Sequence, residues 1–584
     1  MFKVKKTTNI MDAPSMKLFT MLCNYFLLVL VLYTICQFLN LKNFFAVIQI
    51  VSIVIPIIIY LLTNKKIEKV KIVIMVISLY LFLLLILPFI SGKTYDLTVD
   101  GNSYHKTAIA FIKNGWNPIY ESSTEFQKDN KNIVAFDKTT RINLWIEHYP
   151  KATWILAANF YEMTGNIESG KCITLILSIM LLIISYNCLR RVLDKRWSII
   201  ISALVVLNPI TLAQIFSYYV DGIMGICFVM ELLLLFLVKP MEKQSKSIWL
   251  CLASIVTLFC NLKYTGLLCS GIIAAVFYFY WLIKYKKEQA FIRILKKMTV
   301  NFTIVFVTAI FFVGANSYVK NTIDHMNPLY PLIGKDKVDI ITTMQPKVFG
   351  ELSMPQKFVR SLFGKTENTT YTMGDPEWKL PIKVYRSEIS ELLAPDVRIG
   401  GFGPLFALAT ILSIIVLIYG LILFVKYEKK NIKYITIPTI AILLTMILLG
   451  ENWWARYVPQ FYLLPIGTII LIIYTAKYMK KQKVASIMAL IIITVLTANC
   501  TFFLYTNYVN IKSFVEINRD IKEMKNTKNL KLKLGTKNLY GYYYNLNDQS
   551  IDYKLVEEIP EERKKYKYSW RIEVEENEEI SKIN

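Results

Sequence analysis

Two carboxylates and an imidazole lie close together in one short polar stretch of the sequence. Asp96, Asp100 and His105, with Tyr104 beside the histidine, directly follow the third apolar run of the chain. A carboxylate held at a membrane edge can act as a general base that removes a proton from a hydroxyl group. Asp100 is the first candidate catalytic residue and Asp96 the second. Asp100 can alternatively cap a helix predicted over residues 103–114, since aspartate is a preferred N-cap residue.

Two cations occupy similar positions between later apolar runs. Lys263 lies in the short turn at 261–266, and Arg456 lies in the segment 451–457 beside Trp453 and Trp454. Cationic pockets between membrane helices bind anionic head groups, and a guanidinium group suits phosphate. We expect both side chains to bind a lipid-linked phosphate, with His325 as a third contact. Alternatively, the Lys263 and Arg456 side chains extend from the bilayer towards water without binding a ligand. Trp453 and Trp454 are expected in the aromatic belt at the membrane interface.

The remaining candidates are polar residues in the same predicted set of loops. We expect contacts with a substrate from Tyr104, His105, His148, Tyr149, Lys151 and Asp221. The alternatives are a histidine that is merely hydrogen-bonded and an aspartate that is favourable at a helix N-terminus for electrostatic reasons alone. No histidine or cysteine pair has the spacing of a zinc site. The sequence therefore predicts no metal site and no cofactor, and leaves a divalent cation open.

The elements that position these residues are predicted to be membrane helices. Hydrophobic residues make up 55% of the 584-residue chain, and the mean hydropathy is +0.43. At roughly twenty apolar residues for each span, the chain contains about thirteen predicted membrane helices. They fall near 18–39, 44–63, 70–91, 171–189, 197–213, 220–238, 247–262, 264–284, 298–317, 401–425, 432–450, 455–476 and 484–508. The predicted fold is an all-α polytopic membrane protein.

The distribution of lysine and arginine predicts the orientation of these helices. Basic clusters fall in alternate loops, at 65–71, 190–196, 239–246, 284–297, 426–433 and 477–483, and can all be cytoplasmic together. The N-terminus is then cytoplasmic, and the other loops, mainly 92–169 and 318–400, face outward with every candidate site residue. In the first of these loops, the helix predicted at 103–114 is amphipathic, with apolar residues on one face and Lys106 and Lys113 on the other. This pattern favours a position in the membrane interface.

The sequence predicts two regions. Residues 1–508 form the transmembrane module, and residues 509–584 are polar, with short alternating runs that favour a small extracytoplasmic α/β appendage. The net charge of +25 arises mainly from lysines beside apolar runs, so membrane topology explains it and nucleic acid is excluded as a partner. Membrane lipids are expected partners. The Lys-, Ile- and Asn-rich composition is typical of an AT-rich bacterium.

Four stretches of the sequence together resemble the GT-C class of glycosyltransferases, polytopic enzymes that use polyprenyl-phosphate-linked sugars on the outer face of the membrane. They are residues 96–105, the turn at 261–266, the segment 327–331 and the turn that contains Arg456, spread over about positions 70–476. The likeness is closest to bacterial members, and more distant to the protein O-mannosyltransferase and aminoarabinose-transferase branches. Gly101 follows Asp100 where the class often has a second acid. Ala455 follows two tryptophans where oligosaccharyltransferases have aspartate, which disfavours transfer to asparagine.

This resemblance implies an inverting transferase of the bacterial cell membrane. Asp100, or Asp96, would be the base for an acceptor hydroxyl that attacks the anomeric carbon of a polyprenyl-phosphate-linked sugar. Lys263 and Arg456 would stabilise the departing phosphate. The acceptor would be a glycan, lipid or protein of the cell envelope, and no metal would be required.

Three other functions are compatible with such a membrane protein. A lipid-linked glycan transporter or flippase predicts ionisable residues in mid-membrane and internal repeats, whereas the predicted spans have apolar centres and no repeat is evident. A polysaccharide polymerase or ligase would transfer a block rather than a single sugar. A non-catalytic scaffold would not depend on the acidic residues.

Overall fold

The structure of the protein is a computed structural model. It describes residues 10–63, 70–130, 142–241, 246–339, 342–368, 375–428, 431–476, 482–534, 539–569 and 571–575. Parts of the predicted loops 92–169 and 318–400, of the C-terminal region 509–584, of the basic clusters and of the N-terminal segment lie outside the described residues. The described chain is mostly helical, with one small sheet near its C-terminus.

Eight of the described helices are long and apolar enough to cross a membrane, in agreement with the predicted class. A helix satisfies its backbone hydrogen bonds internally, as a bilayer requires. These eight are Pro14–Phe38, Phe45–Thr63, Val70–Ser91, Ile167–Leu189, Tyr264–Tyr285, Phe291–Asn316, Phe406–Tyr427 and Gln482–Asn526. Pro14–Phe38 is the most buried of them and packs against Phe45–Thr63 and Lys246–Cys260.

Five other predicted spans are shorter helices in the structure. They are Lys195–Val206, Asp221–Leu237, Lys246–Cys260, Lys433–Leu449 and Leu463–Thr475. The predicted span at 197–213 ends early because Asn208 and Pro209 start a separate short helix, Pro209–Gln214, whose first turn the Asn208 side chain caps. The total of about thirteen spans stays a prediction, as does the orientation of the chain in the membrane.

Short elements connect the apolar helices. The α-helices among them are Lys106–Lys113, Ser123–Asp129, Ile142–His148, Ala152–Thr164, Tyr318–His325, Met354–Leu362, Arg386–Glu391 and Gly541–Asp548. A π-helical turn lies at Gly101–His105, and two more lie inside the apolar helices, at Phe82–Ile86 and Thr308–Phe312. Short 3-10 turns lie at Ile10–Asp12, Ile167–Lys171, Val313–Asn316, Thr342–Met344, Lys347–Glu351, Ala455–Tyr457, Pro459–Tyr462 and Glu561–Arg563.

The helix predicted at 103–114 differs from the structure in its start and in its surroundings. Helical geometry begins before Asp100, runs through Gly101–His105 and continues as Lys106–Lys113. Residues 106–112 are all buried, so the prediction of an interfacial helix is wrong. The helix packs against Ala152–Thr164, and Lys106 is buried with it because it forms an ion pair with Glu168 inside the protein. Glycine is required at 101, because a Cβ atom there would collide with the Asp96 carboxylate.

The C-terminal region contains a four-stranded sheet, as its alternating pattern predicts. The strands are β1 (Leu530–Leu534), β2 (Tyr553–Leu555), β3 (Lys564–Lys567) and β4 (Ile572–Glu575), in the order β2-β1-β4-β3. β1 pairs with β2 in parallel and with β4 antiparallel, and β3 pairs with β4 antiparallel. The helix Gln482–Asn526 is continuous across position 508, so one helix joins the two predicted regions.

The C-terminal region packs directly on the stretch that contains the candidate bases. The ring of Tyr568 lies 5.3 Å from that of Tyr95, and the Asn545 side-chain oxygen accepts a hydrogen bond from Lys106 Nζ at 2.8 Å. The residues after the last membrane helix therefore help to hold the 95–106 stretch in place.

Candidate functional site

Six charged side chains from five parts of the chain form one cluster near the ends of apolar helices. They are Asp100, Asp221, Lys263, Asp396, Arg398 and Arg456, and we call them the charged cluster. Asp221 begins the helix Asp221–Leu237, and Lys263 directly precedes Tyr264–Tyr285. The structure thus brings together four predicted site residues that are up to 356 positions apart, from Asp100 to Arg456.

Arg456 is the centre of the charged cluster. Its Nη1 atom lies 2.7 Å from Asp396 Oδ1 and 3.8 Å from Asp100 Oδ2. Its Nε atom lies 3.9 Å from Asp221 Oδ2. The guanidinium carbon lies 5.1 Å from the centroid of the Tyr219 ring, and only 9% of the side chain is exposed. A planar cation with three carboxylate neighbours and an aromatic neighbour is held in a fixed orientation.

Lys263 is the second predicted cation of the charged cluster. Its Nζ atom lies 3.1 Å from Asp221 Oδ1 and 4.4 Å from the centroid of the Tyr457 ring. The Asp221 carboxylate is 2% exposed and also accepts a hydrogen bond from Gln214 Nε2 at 3.3 Å. Asp221 therefore positions both Lys263 and Arg456. An aspartate that merely interacts favourably with a helix N-terminus would not need these two partners.

Sequence reasoning missed Asp396 and Arg398, which lie in the predicted outward loop 318–400. Arg398 forms an ion pair with Asp396, which in turn contacts Arg456. Both arginines contact the ring of Trp454, with each guanidinium carbon 4.6 Å from its centroid. Trp453 and Trp454 are almost fully buried, so their prediction as interfacial belt residues is wrong. The sequence signal that could have identified them is a pair of opposite charges, Asp396 and Arg398, shortly before the apolar helix Phe406–Tyr427.

Asp100 is the most accessible carboxylate of the charged cluster, with 30% of its side chain exposed. Tyr104 donates a hydrogen bond to its Oδ2 atom at 3.3 Å. The capping alternative is wrong, because Asp100 has helical backbone angles and its side chain caps nothing; the Thr98 hydroxyl accepts from the Gly101 N–H instead. Burial raises the pKa of Asp100 above its ordinary value, and the Arg456 charge opposes that rise.

Asp96 has a different environment from Asp100. It is fully buried, and its carboxylate accepts backbone N–H groups of Tyr218 at 2.7 Å and Thr98 at 2.8 Å. Burial raises its pKa, and the nearby Lys106 charge lowers it. Both carboxylate oxygens thus bind backbone amides. These bonds fix the loop that leads to Asp100, and they leave the Asp96 carboxylate shielded from solvent.

Two of the three histidines are buried and hydrogen-bonded. His105 Nδ1 accepts a hydrogen bond from Trp154 Nε1 at 2.7 Å, and burial lowers its pKa to about 3. His148 Nδ1 lies 2.7 Å from Asn321 Oδ1, and burial lowers its pKa to about 4. Both imidazoles are therefore neutral at physiological pH. His105 lies close enough to the charged cluster to interact electrostatically with its charges.

The contacts described for His325 and Lys151, two further predicted residues, do not involve the charged cluster. The His325 ring is exposed and stacks on Tyr330 with centroids 3.7 Å apart, so its described contacts do not join it to Lys263. Lys151 Nζ donates to the carbonyl oxygens of Glu147 and Tyr149, and burial lowers its pKa to about 7. The Lys151 ammonium group is thus already hydrogen-bonded to backbone carbonyl oxygens. Contact of Lys151 with a substrate and contact of His325 with a phosphate stay predictions.

The charged cluster offers a carboxylate and cations but no metal-ligand set. Among the residues that the structure describes, no group of three histidines, cysteines or acids has the geometry of a metal site. An accessible carboxylate can accept a proton, and preorganised cations beside it can stabilise a developing negative charge. Comparison of the chain with protein-family models, curated proteins and solved structures finds no match. A functional assignment therefore depends on the chemistry of the site.

Proposed function

We propose that the protein is a membrane glycosyltransferase that moves a sugar from a polyprenyl-phosphate donor to an acceptor hydroxyl. The observation that supports this most directly is the accessible Asp100 carboxylate, 3.8 Å from the buried Arg456 guanidinium and in one cluster with Lys263. A base for the nucleophile and cations for the leaving group are the two components that such a displacement needs. The GT-C resemblance of the sequence supports the same class.

The proposed reaction is a single inverting displacement. Asp100 takes the proton of the acceptor hydroxyl, and the oxygen attacks the anomeric carbon. The bond between that carbon and the phosphate oxygen breaks, and the polyprenyl phosphate leaves with the electron pair. Lys263 and Arg456 stabilise the negative charge that grows on this oxygen. Asp100 is favoured over Asp96 because the carboxylate of Asp96 is fully buried and bound to backbone amides. The step uses no metal ion.

Asp221 and Asp396 prepare the cations for this role. Each contacts Arg456, and Asp221 also contacts Lys263, so the cations are held in place before a substrate binds. Lys263 has a single carboxylate within ion-pair distance among the described residues and remains 12% exposed. It is therefore the cation that can most easily turn towards a phosphate.

Aromatic side chains around Asp100 are suited to a sugar. The ring of Tyr104 lies 6.1 Å from that of Tyr149 in an edge-to-face arrangement, and 4.3 Å from that of His105. Such rings offer flat apolar surfaces together with hydroxyl groups. We propose these three residues as contacts of the donor sugar or the acceptor. The site would face the outside of a bacterial cell membrane, where the acceptor is a glycan, lipid or protein of the envelope.

Lys263→Met should chiefly weaken donor binding. Loss of a charge-assisted hydrogen bond costs about 1.5–3 kcal/mol, so we expect KM for the donor to rise roughly 10- to 100-fold. The measurement is donor saturation in membranes, with a labelled polyprenyl-phosphate sugar and a fixed acceptor concentration. Lys263→Arg, which keeps the charge, is the matched control and should restore most of the donor affinity. An unchanged KM in Lys263→Met would contradict the phosphate role.

One observation favours a transporter as a second candidate. Glu231 lies within Asp221–Leu237 and is fully buried, and neither of its carboxylate oxygens makes a hydrogen bond within the described chain, although Ser270 lies beside it. The sequence-based statement that the spans have apolar centres is therefore wrong for this helix. Buried acids in membrane helices often belong to ion or proton pathways.

Glu231→Leu separates the two candidates. If Glu231 is not functional, removal of an unsatisfied buried acid should raise the stability by about 1–3 kcal/mol and leave sugar transfer intact. The measurement combines thermal unfolding in detergent with the transfer assay. Glu231→Gln is the control, since it keeps an unsatisfied polar group and should gain little stability. Absence of sugar transfer in the parent protein, together with substrate movement across vesicle membranes that Glu231→Leu abolishes without loss of folded protein, would favour transport instead.

A further inference from the structure

Three large apolar side chains are exposed within five residues of the segment after the helix Met354–Leu362. Trp378 is 56% exposed, Leu380 69% and Ile382 72%. Exposed apolar side chains in water are normal when they are scattered singly, whereas a contiguous group indicates a surface that is covered by something else. We call the helix Met354–Leu362 together with residues 375–386 the boundary segment.

The boundary segment is attached to the start of a membrane helix. Lys379 lies between two of the exposed residues but points inward, where its Nζ atom is 2.6 Å from Glu388 Oε1 and 2.8 Å from the Pro404 carbonyl oxygen. Pro404 lies two residues before Phe406–Tyr427, which is long and apolar enough to cross a bilayer. The side chains of Lys379 and Glu388 are 3% and 0% exposed, so this attachment is a fixed part of the fold.

A second attachment joins the boundary segment to another apolar helix. Lys357 Nζ lies 3.7 Å from Glu451 Oε2, and Gly450 ends the helix Lys433–Leu449. On the same short helix as Lys357, the side chains of Met354 and Val359 are each 44% exposed. The exposed apolar side chains are thus fixed next to the ends of two apolar helices.

The polar residues around this surface are those of a lipid head-group region. The Arg360 guanidinium carbon lies 4.6 Å from the centroid of the Trp378 ring, and Lys383 Nζ lies 4.5 Å from the centroid of the Tyr385 ring. Tryptophan, tyrosine and basic side chains together are typical of membrane–water interfaces, where a ring has one apolar and one wet end. Continuity with two membrane helices and this composition favour lipid over a protein partner.

We propose that the boundary segment is embedded in the bilayer surface, with Trp378, Leu380 and Ile382 among the lipid chains. The segment would fix the depth of the protein in the membrane on the side that contains the charged cluster. The Ala455 N–H donates a hydrogen bond to the Arg398 carbonyl, and the Gly400 N–H donates one to the Ser361 carbonyl, so the boundary segment and the charged cluster share one backbone framework. The proposal stands whether or not the protein transfers sugars.

Fluorescence quenching by lipids tests this placement. The full chain and Trp378→Phe are reconstituted in phosphatidylcholine vesicles whose acyl chains are either brominated or unmodified. The difference between the two proteins gives the emission of Trp378. We expect brominated chains to reduce this emission several-fold, and aqueous iodide to leave it nearly unchanged. Trp116→Phe is the control, because the Trp116 ring is 1% exposed and reports the quenching of a ring that protein shields.

Two results would overturn the proposal. Emission of Trp378 that is insensitive to brominated lipids but quenched by iodide would place the ring in water. Emission that resists both agents would place the ring beneath another protein surface, such as a second copy of this chain. Phenylalanine at 378 keeps an aromatic ring at an exposed position, so the variant should fold like the parent protein.

Discussion

Asp100→Asn should lower the rate of sugar transfer roughly 10²- to 10⁴-fold, the usual contribution of a general base, while the protein remains folded. Asparagine has nearly the same shape and can still accept the Tyr104 hydrogen bond, but it cannot take a proton from the acceptor. The side chain is 30% exposed and caps no helix, so its replacement should affect stability little. The measurement is transfer from a labelled polyprenyl-phosphate sugar in membranes, normalised to folded protein.

Asp324→Asn is the matched control for this substitution. The Asp324 side chain is 34% exposed and pairs with Lys320. It therefore resembles Asp100, which lies beside Arg456, but it lies outside the charged cluster. Transfer should be unchanged in this variant. Asp96→Asn decides between the two candidate bases, because we expect it to reduce the yield of folded protein more than the activity of each folded molecule. Full transfer activity in Asp100→Asn would remove Asp100 as the base.

The pH dependence provides a second readout of the same residue. A base acts when it is deprotonated, so transfer should fall as the pH drops through the Asp100 pKa. Burial raises that pKa, which places the acid limb of the profile above the ordinary range of aspartate. The residual activity of Asp100→Asn should lack this limb. An identical limb in both proteins would assign it to another group.

The sequence was sufficient for the class of fold because membrane helices are encoded locally. A run of apolar residues long enough for a bilayer predicts a helix regardless of its neighbours, and eight such helices are present among the described residues. Helix ends were less predictable. Asn208 and Pro209 stop one apolar run inside its predicted span, since asparagine prefers the N-cap and proline the first turn.

The candidate site was predictable only where polar residues interrupt apolar runs. Asp100, Asp221, Lys263 and Arg456 each stand beside such a run, and the structure brings them together. Asp396 was not predicted because nothing near it in the sequence indicates Arg456 as a partner for its charge. Its distance of 2.7 Å from Arg456 depends on how separate helices pack, which no local pattern contains.

Burial was the property that the sequence described least well. Lys106 and Trp454 both look like interfacial residues from their neighbours in the chain, yet their side chains are completely enclosed. In each case a distant partner explains the burial: Glu168 neutralises Lys106, and the Asp396 carbonyl accepts the Trp454 indole N–H at 2.9 Å. Such partners are decided by tertiary structure.

Glu168 is the acid at the centre of a second, fully buried group of charges. Its Oε1 atom lies 2.5 Å from Lys106 Nζ, and its Oε2 atom lies 2.8 Å from Lys171 Nζ. The three side chains are at most 1% exposed. Glu168 also accepts hydrogen bonds from the Asp96 N–H at 3.1 Å and from Asn545 Nδ2 at 2.9 Å. One carboxylate thus joins the candidate-base loop, a membrane helix and the C-terminal region.

Glu168→Gln should therefore destabilise the protein by about 3–5 kcal/mol, the usual effect of removing one partner from a buried ion pair. Glutamine preserves the shape, but among the described residues it leaves two buried ammonium groups with the Asp96 carboxylate as the remaining nearby acid. The measurement is equilibrium or thermal unfolding of the full chain in detergent, followed through helical signal. Because Lys106 also binds Asn545, we expect protease cleavage within 539–569 to become faster in the variant.

Glu162→Gln provides the comparison for this prediction. Glu162 pairs with Lys113 at 3.5 Å, but its side chain is 41% exposed, so solvent screens the charge and the change should stay within about 1 kcal/mol. The two substitutions are chemically identical and lie six residues apart, so the difference between them isolates the effect of burial. Equal, small effects in both variants would mean that the two lysines are neutral or hydrated, and would contradict the role of Glu168 as their shared counter-ion.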